Sequence, residues 1–254
     1  MSGAAPTPPA RRRAVAAGLA STVVVGLLTG CTMLPAPPPP VPTSVVPSEA
    51  PRPEPTSTGD LSPDGFDQAQ RMAVRIRNVG CGALSTGSGF AIDDHTLLTN
   101  RHVVADSAEL QLSTYDGRDV AVTAASTAAL ADLAIVRTAD PLPAAPQLAD
   151  ADPTVGQVVT VIGYPLGGQL TVSTGEVLGS TTDPLNENLG EVLVTDAPVE
   201  PGSSGSAVLD ADGHVVGVVY AKDAEEHSFV VPVSTLRSML ADSSAFAPAP
   251  TCSR

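Results

Sequence analysis

The feature of this chain that most limits its fold is a series of twelve short β-branched runs between residues 66 and 254. Gly, Asp, Pro and Asn separate the runs, and these residues favour turns over strands. The runs cover residues 72–77, 89–92, 96–99, 109–113, 120–124, 133–137, 158–163, 171–178, 192–195, 207–209, 215–220 and 229–231. This spacing predicts an all-β barrel or sandwich, and about 190 residues suffice for one domain or two packed halves. One amphipathic helix is expected over residues 233–240, with Ser234 available to cap it.

The first 30 residues have the character of an export signal. Three arginines at positions 11–13 precede an apolar stretch over residues 14–28, and small residues follow. The run Leu28-Thr29-Gly30-Cys31 resembles the bacterial lipobox. This resemblance implies cleavage before Cys31, acylation of its sulfur and anchoring at the outer face of the bacterial cytoplasmic membrane. The alternative is a transmembrane anchor that retains residues 1–30, but the apolar run is shorter than the ~20 residues a spanning helix needs.

Residues 31–65 are predicted to be a disordered tether. Ten prolines fall between residues 32 and 60, with Ser, Thr and Ala between them. Such a composition favours extended polyproline geometry and provides no hydrophobic core. The globular domain is therefore expected over residues 66–254.

The charge of the exported chain excludes one class of partner. Removal of residues 1–30 takes away three of the 13 basic residues and none of the 27 acidic ones, which leaves a net charge of −17. Nucleic-acid binding requires a basic surface, so no nucleic-acid partner is expected. The acidic balance favours solubility of an exported domain. Neither a cofactor nor a metal ion is expected, and the sequence does not determine the oligomeric state.

The cysteine count suggests a disulfide bond. With Cys31 assigned to the lipid, Cys81 and Cys252 remain near the two ends of the domain. An even pair in an oxidising compartment indicates a disulfide, which by chain entropy would stabilise the fold by roughly 5 kcal/mol. A catalytic cysteine is the alternative interpretation.

One loop near the end of the chain suggests nucleophilic catalysis. Pro201-Gly202-Ser203-Ser204-Gly205-Ser206 lies between two strand-like runs. Glycines permit sharp turns with positive φ, so that a serine hydroxyl can project while backbone N–H groups converge near it. This is the arrangement required for a nucleophile beside an oxyanion hole, although Gly/Ser clusters are more often ordinary loops.

A nucleophilic serine requires a base and an acid that orients the base. His102 follows the run 96–99 and opens an apolar segment, whereas His95, His214 and His227 each follow acidic turn residues. Asp132 is a single acid within an apolar segment, and a buried carboxylate requires a partner. Asp196, just before the serine loop, is the competing acid.

Three segments together resemble a known family. Thr99–Val104, Asp132–Val136 and Pro201–Ser206 occur in the order and types typical of trypsin-like serine proteases of the chymotrypsin clan. The sequence resembles most the bacterial HtrA/DegP-like branch, to which residues 161–165 with Gly167-Gly168, and residues 229–232, are also similar. The placement of Cys81 and Cys252 is similar to that in MarP-type periplasmic proteases, which carry a stabilising disulfide.

The resemblance implies a fold and a set of roles. The fold would be two packed six-stranded antiparallel β-barrels with a short C-terminal helix and the site in the cleft between them. Ser204 would be the nucleophile, His102 the general base and acid, and Asp132 the orienting acid. The backbone N–H groups of Gly202 and Ser204 would form the oxyanion hole.

The chain departs from the family pattern at three positions near the site. Ser203 replaces the usual Asn or Asp before the nucleophile, Ser206 replaces the more usual glycine, and Arg101 replaces a small residue before the histidine. HtrA proteins normally continue into a PDZ domain, and none is expected after residue 242.

The sequence therefore predicts an exported, lipid-anchored serine endopeptidase acting on proteins or peptides through an acyl-enzyme. The alternative is a catalytically silent relative that binds a peptide or partner protein.

Overall fold

The computed structural model describes residues 66–128, 131–185 and 189–252. The predicted signal, the lipidation residue Cys31 and the proline-rich tether lie outside these ranges. Within them, no helix combines the length and the apolar character that crossing a bilayer requires.

The described residues form fourteen strands and three short α-helices, so the all-β prediction is confirmed. The helices are α1 (Gln68–Arg71), α2 (Arg101–Val104) and α3 (Val233–Ala241). The first seven strands are β1 (Ala73–Gly80), β2 (Leu84–Asp93), β3 (Thr96–Thr99), β4 (Ser107–Thr114), β5 (Asp119–Val120), β6 (Val122–Ala128) and β7 (Ala134–Thr138). The others are β8 (Val158–Gly163), β9 (Thr171–Thr182), β10 (Glu191–Thr195), β11 (Ala207–Leu209), β12 (Val215–Lys222), β13 (Ser228–Pro232) and β14 (Phe246–Pro248). Two 3-10 turns cover Pro165–Gly167 and Ser243–Ala245.

The strands build two β units. Strands β8 to β13 close into a six-stranded barrel in the order β10-β13-β12-β11-β8-β9, as predicted for the second half. The first unit is an eight-stranded curled sheet in the order β14-β6-β7-β3-β2-β1-β4-β5, and it is open between β14 and β5. The first unit therefore differs from the expected closed six-stranded barrel: β5 has only two residues, and the C-terminal strand β14 adds to β6.

Three groups of buried side chains stabilise this arrangement. One lies inside the first sheet and includes Ile76, Leu97 and Val136. A second, made mostly of valines, fills the closed barrel. The third joins the two units and contains Phe90 from the first together with Tyr164 from the second. Burial of apolar surface at this joint holds the elements on either side in a fixed relation.

The C-terminal segment returns from the barrel to the first sheet. After α3, β14 pairs antiparallel with β6, and the Cys252 N–H donates to the Ser107 carbonyl at 3.1 Å. Cys252 is bonded to Cys81, with the two Cα atoms 5.5 Å apart. The predicted disulfide is confirmed, and it fixes the end of the segment beside the start of β4.

The helix α3 begins differently from the expectation. Its N-cap residue is Pro232, with no side-chain cap. Ser234 does not cap the helix; its Oγ donates instead to Asp152 at 2.6 Å, and its backbone N–H donates to the same carboxylate at 2.8 Å. The predicted role of Ser234 is therefore wrong, because a carboxylate 82 positions away provides the partner.

Candidate active site

His102 lies in α2, the four-residue helix directly after β3. So short a helix gains little from its own hydrogen bonds and needs outside support. Asn78 on β1 supplies it, since its Nδ2 donates to the carbonyl oxygens of Val103 at 3.0 Å and Ala105 at 2.8 Å. The helix is held in place while 49% of the His102 side chain remains exposed.

Asp132 contacts His102 through both of its carboxylate oxygens. Its Oδ2 lies 2.6 Å from His102 Nδ1, and its Oδ1 accepts the His102 backbone N–H at 3.0 Å. Only 4% of the Asp132 side chain is exposed, and Asn100 Nδ2 donates to the Asp132 backbone carbonyl at 2.8 Å. A carboxylate oxygen only accepts, so the ring proton is assigned to Nδ1. The lone pair of Nε2 is then free.

The competing acid, Asp196, has a different partner. Its Oδ1 accepts the backbone N–H of Glu176 at 2.7 Å at an exposed position. The structure therefore pairs Asp132, and not Asp196, with His102.

The other three histidines lie in turns, as predicted. In each, the backbone N–H donates at 2.8 Å to an aspartate two or four residues earlier: His95 to Asp93, His214 to Asp210 and His227 to Asp223. These bonds account for the positions of the acids as turn-forming residues.

One acidic group could in principle hold a metal ion. Among the described residues, Asp210, Asp212 and His214 place one ligand atom each within 4.8 Å of the others. Asp210 Oδ1 accepts the N–H groups of Asp212 and His214, which accounts for the cluster as a hairpin turn between β11 and β12.

The serine loop begins with a tight turn. The Ser203 N–H donates to the Glu200 carbonyl at 2.8 Å, and Gly202 has a φ of +97°. Proline at the second position and positive φ at the third are the signature of a type II turn. Within the described part of the chain, the N–H groups of Gly202 and Ser204 donate to no protein acceptor. Among the described residues, the half-buried Ser204 thus has an unpaired N–H donor of its own and a second one two residues earlier, on Gly202.

The serine loop lies directly against the first sheet. The Ser88 N–H on β2 donates to the Ser204 carbonyl at 2.8 Å. Gly205 has a φ of +87°, and a Cβ there would collide with the Ser88 carbonyl oxygen and lie 2.5 Å from Thr99 Oγ1. Thr99 ends the strand that leads to His102, so the serine and the histidine come from different units, on segments that meet at this joint. No hydrogen bond joins their side chains among the described residues, and such bonds are often long in a site without substrate.

Two residues near the loop were missed by the sequence analysis. Ser88, which is fully buried, donates from Oγ to the Gly202 carbonyl at 2.8 Å and accepts the Tyr164 N–H at 2.8 Å. Leu166, with a φ of +56° and 72% exposure, donates its N–H to the Pro201 carbonyl at 2.6 Å. For Ser88, the available sequence signal was the run Gly87-Ser88-Gly89, because glycine inside a strand often marks close approach of another segment.

Two of the residues that depart from the family pattern, Ser203 and Ser206, lie in the loop. Ser203 Oγ accepts the Glu200 N–H at 3.2 Å, so it reaches no further than the turn itself. Ser206 is fully buried, and its Oγ has no hydrogen-bond partner among the described residues.

Two residues near the loop and the joint have raised pKa values, one through hydrogen bonds to carboxylates and one through burial. Hydrogen bonds from Lys222 Nζ to Glu226 at 2.9 Å and to Glu200 at 3.2 Å raise the pKa of Lys222. Lys222 thereby links the end of β12 to the start of the serine loop. Burial raises the pKa of Tyr164 to about 12.

Comparison with known proteins identifies the family. The sequence model of the trypsin-like peptidase domain matches residues 87–218, which is more than half of the chain. The chain belongs to the trypsin-like peptidase domain family. The matched range contains His102, Asp132 and Ser204.

The relatives of this trypsin-like domain include HtrA and DegP-like proteins. It is 33% identical over 166 residues to the mitochondrial serine protease HTRA2 of Bos taurus, which covers 62% of this chain and 36% of the relative. It is 34% identical over 158 residues to a probable periplasmic DegP-like serine endoprotease of Hahella chejuensis, covering 59% and 34%. The chain therefore spans about a third of the length of these relatives.

Solved structures show the same fold. The active form of the Rv3671c protease of M. tuberculosis aligns with a TM-score of 0.64 and 27% identity, covering 72% of this chain and 85% of that one. Its inactive form aligns with a TM-score of 0.61 and 27% identity, covering 68% and 89%.

Proposed function

We propose that this trypsin-like domain is a serine endopeptidase in which Ser204 is the nucleophile, His102 the general base and acid, and Asp132 the orienting acid. The observation that carries the proposal is the pairing of an exposed histidine ring with a buried carboxylate at 2.6 Å. Burial of a carboxylate is costly, so its position against one particular ring nitrogen indicates a functional demand. The position of Ser204 across the joint, beside two unpaired N–H groups, supports the same roles.

The first half of the reaction would form an acyl-enzyme. Ser204 Oγ attacks the carbonyl carbon of the scissile peptide bond while His102 Nε2 takes the hydroxyl proton. The negative oxygen of the tetrahedral intermediate accepts hydrogen bonds from the N–H groups of Gly202 and Ser204. The C–N bond then breaks, and the imidazolium of His102 donates its proton to the leaving amine.

The second half would regenerate the serine. Water attacks the ester carbonyl, and His102 Nε2 takes a proton from that water. The bond to Ser204 Oγ breaks, the new carboxylic acid leaves, and His102 returns the proton to Ser204. Throughout the cycle, Asp132 stabilises the imidazolium and keeps Nε2 directed toward the serine.

The substrates would be proteins or peptides, and a peptide library tests this. Incubation with fluorescence-quenched peptides of mixed sequence should give steady hydrolysis by the wild type and none by Ser204→Ala. If the wild type is folded and binds peptides but cleaves none, and reacts with no serine-directed reagent, then the silent binding protein is the better description.

We also propose that the protein is exported and lipid-anchored through Cys31. The lipobox-like run Leu28–Cys31 after a basic and then apolar segment supports this. Mass spectrometry of the mature N-terminus should find an acylated Cys31 as the first residue. A retained Met1 or an unmodified Cys31 would refute the anchor and leave the proposed peptidase activity untouched.

A further inference from the structure

Ser88 occupies the joint between the two β units. It lies in the middle of β2 and is fully buried. Two of its polar atoms make three hydrogen bonds across the joint: Oγ accepts from the Tyr164 N–H and donates to the Gly202 carbonyl, and the backbone N–H donates to the Ser204 carbonyl, each at 2.8 Å. Ser88 thus binds the carbonyl groups of Gly202 and Ser204, and these are the two residues whose N–H groups would form the oxyanion hole.

The orientation of each peptide in the loop follows from what holds its carbonyl oxygen. In a trans peptide, the N–H points opposite to the carbonyl of the preceding residue. Leu166 N–H holds the Pro201 carbonyl at 2.6 Å, so the Gly202 N–H is turned to the other side. In the same way, the Ser206 N–H holds the Ser203 carbonyl at 2.9 Å and turns the Ser204 N–H away from it.

The peptide between these two donor peptides is the one that Ser88 holds. Its carbonyl, on Gly202, accepts from Ser88 Oγ, and its N–H, on Ser203, donates to the Glu200 carbonyl. The Ser203 side chain bonds only within the turn, to the Glu200 N–H, while the Ser206 carbonyl accepts the Val219 N–H of β12 at 3.0 Å. Ser88 Oγ is a side-chain anchor from the first unit on the peptide between the two donors, and it also accepts the Tyr164 N–H, which leads into the turn that carries Leu166.

We propose that Ser88 is a positioning residue that keeps the oxyanion hole assembled before substrate arrives. This inference rests on the proposed serine peptidase function. Without Oγ, the buried Gly202 carbonyl and Tyr164 N–H would lose their partner, and an unpaired buried polar group is unfavourable. The peptide between Gly202 and Ser203 would then turn to find another partner for its carbonyl, and the N–H groups of Gly202 and Ser204 would lose their fixed orientation relative to each other.

The kinetic test is Ser88→Ala. Because the hole acts on the transition state, kcat should fall by about 10- to 100-fold with KM within about twofold, less than the loss for deleting a donor outright. The affinity of a peptide aldehyde, which forms a tetrahedral adduct, should fall by the same factor, while that of the product peptide stays unchanged. Ser88→Cys, which keeps a weak donor, should lose less in both quantities and serves if the alanine variant does not fold.

Thr138→Val is the matched control. Thr138 is a buried hydroxyl residue of the first unit whose Oγ1 donates to a backbone carbonyl, that of Asp140, at 2.8 Å away from the loop. It should lose some thermal stability and keep kcat. The role of Ser88 is overturned if the wild type is active and Ser88→Ala keeps its kcat and its affinity for the aldehyde. It is also overturned if Thr138→Val loses kcat and aldehyde affinity as much as Ser88→Ala does. In both cases the peptidase function still stands.

A second measurement separates the two proposals. In the Ser204→Ala background, where no turnover occurs, the Gly202 amide resonance in a ¹⁵N NMR spectrum should shift or broaden when Ser88→Ala is added and stay unchanged with Thr138→Val. An unchanged Gly202 amide overturns the positioning role whatever the activity of the wild type. An inactive wild type whose Gly202 amide does respond refutes the peptidase function alone.

Discussion

Asp132 fixes His102 through two bonds at once, one to the ring nitrogen Nδ1 at 2.6 Å and one to the backbone N–H at 3.0 Å. The backbone bond sets where the helix turn lies, and the ring bond sets how the imidazole is rotated and which nitrogen carries its proton. Both settings are present without substrate. The pair is therefore organised before the reaction begins, which is the condition for efficient general base catalysis.

Asp132→Asn should reduce kcat by about 10³- to 10⁴-fold, because an amide can donate to Nδ1 and so favours the wrong ring tautomer. The fold should survive, since the amide oxygen still accepts the His102 N–H. Asp196→Asn is the control with the same chemical change at an exposed acid, and it should stay within about twofold of the wild type. Steady-state kinetics on a quenched peptide measures both. Equal activity in the two variants would show that Asp132 does not orient the base.

Gly205→Ala should prevent folding of the joint between the two units. At a φ of +87° the new Cβ would collide with the Ser88 carbonyl, so strain and overlap act together. Gly213→Ala is the control, because Gly213 has a φ of +80° but nothing lies within 4 Å of its Cβ position. Gly213→Ala should lower the free energy of unfolding by only about 1 kcal/mol, because backbone strain is its only effect. Chemical denaturation compares the two, and similar losses would mean that the close approach at Ser88 is not important.

The strands show how much of the fold the sequence predicts. The runs over residues 158–163 and 207–209 were predicted with the bounds that β8 and β11 have, because β-branched residues end there at glycine or a turn. The strand β14 was missed because Pro248 and its alanine neighbours carry no strand signal. Its pairing depends on β6, about 120 positions earlier, which periodicity alone does not reveal.

Part of the candidate site was predictable from the sequence, and part was not. His102, Asp132 and Ser204 stand out because each is a reactive residue next to apolar or glycine-rich segments. Ser88 does not stand out, because a serine between two glycines in a strand has no chemical signal of its own. Its role exists only through Gly202 and Tyr164, which lie 114 and 76 positions away.

Loss of the Cys81–Cys252 disulfide should lower the free energy of unfolding. The bond joins residues 171 positions apart, and the chain-entropy model gives a loss of up to about 5 kcal/mol on its removal. The double variant Cys81→Ser/Cys252→Ser should show this loss in urea denaturation, and a reducing agent should destabilise the wild type equally. The same agent should leave the double variant unchanged. If the double variant is as stable as the oxidised wild type, the bond does not constrain the unfolded chain.

Tyr164 should make the fold sensitive to alkaline pH. Burial favours the neutral phenol, and it raises the pKa of Tyr164 from 10.0 to about 12 in the folded protein. The stabilisation is therefore complete below pH 10 and is lost as the pH rises from 10 toward 12. Tyr164→Phe, which cannot ionise, should lose less stability than the wild type over this interval in denaturant titrations. Parallel losses in both proteins would contradict burial of the phenol as the cause.

The proposed peptidase function depends most on Ser204 being the nucleophile of a formed site, and covalent labelling tests that directly. A fluorophosphonate reacts only with a serine activated by its base, so it should add once per folded molecule. Peptide mass spectrometry should place the adduct on Ser204 and find none in the Ser204→Ala variant. A folded wild type that takes no label, or a label that persists in Ser204→Ala, would show that Ser204 is not the activated nucleophile.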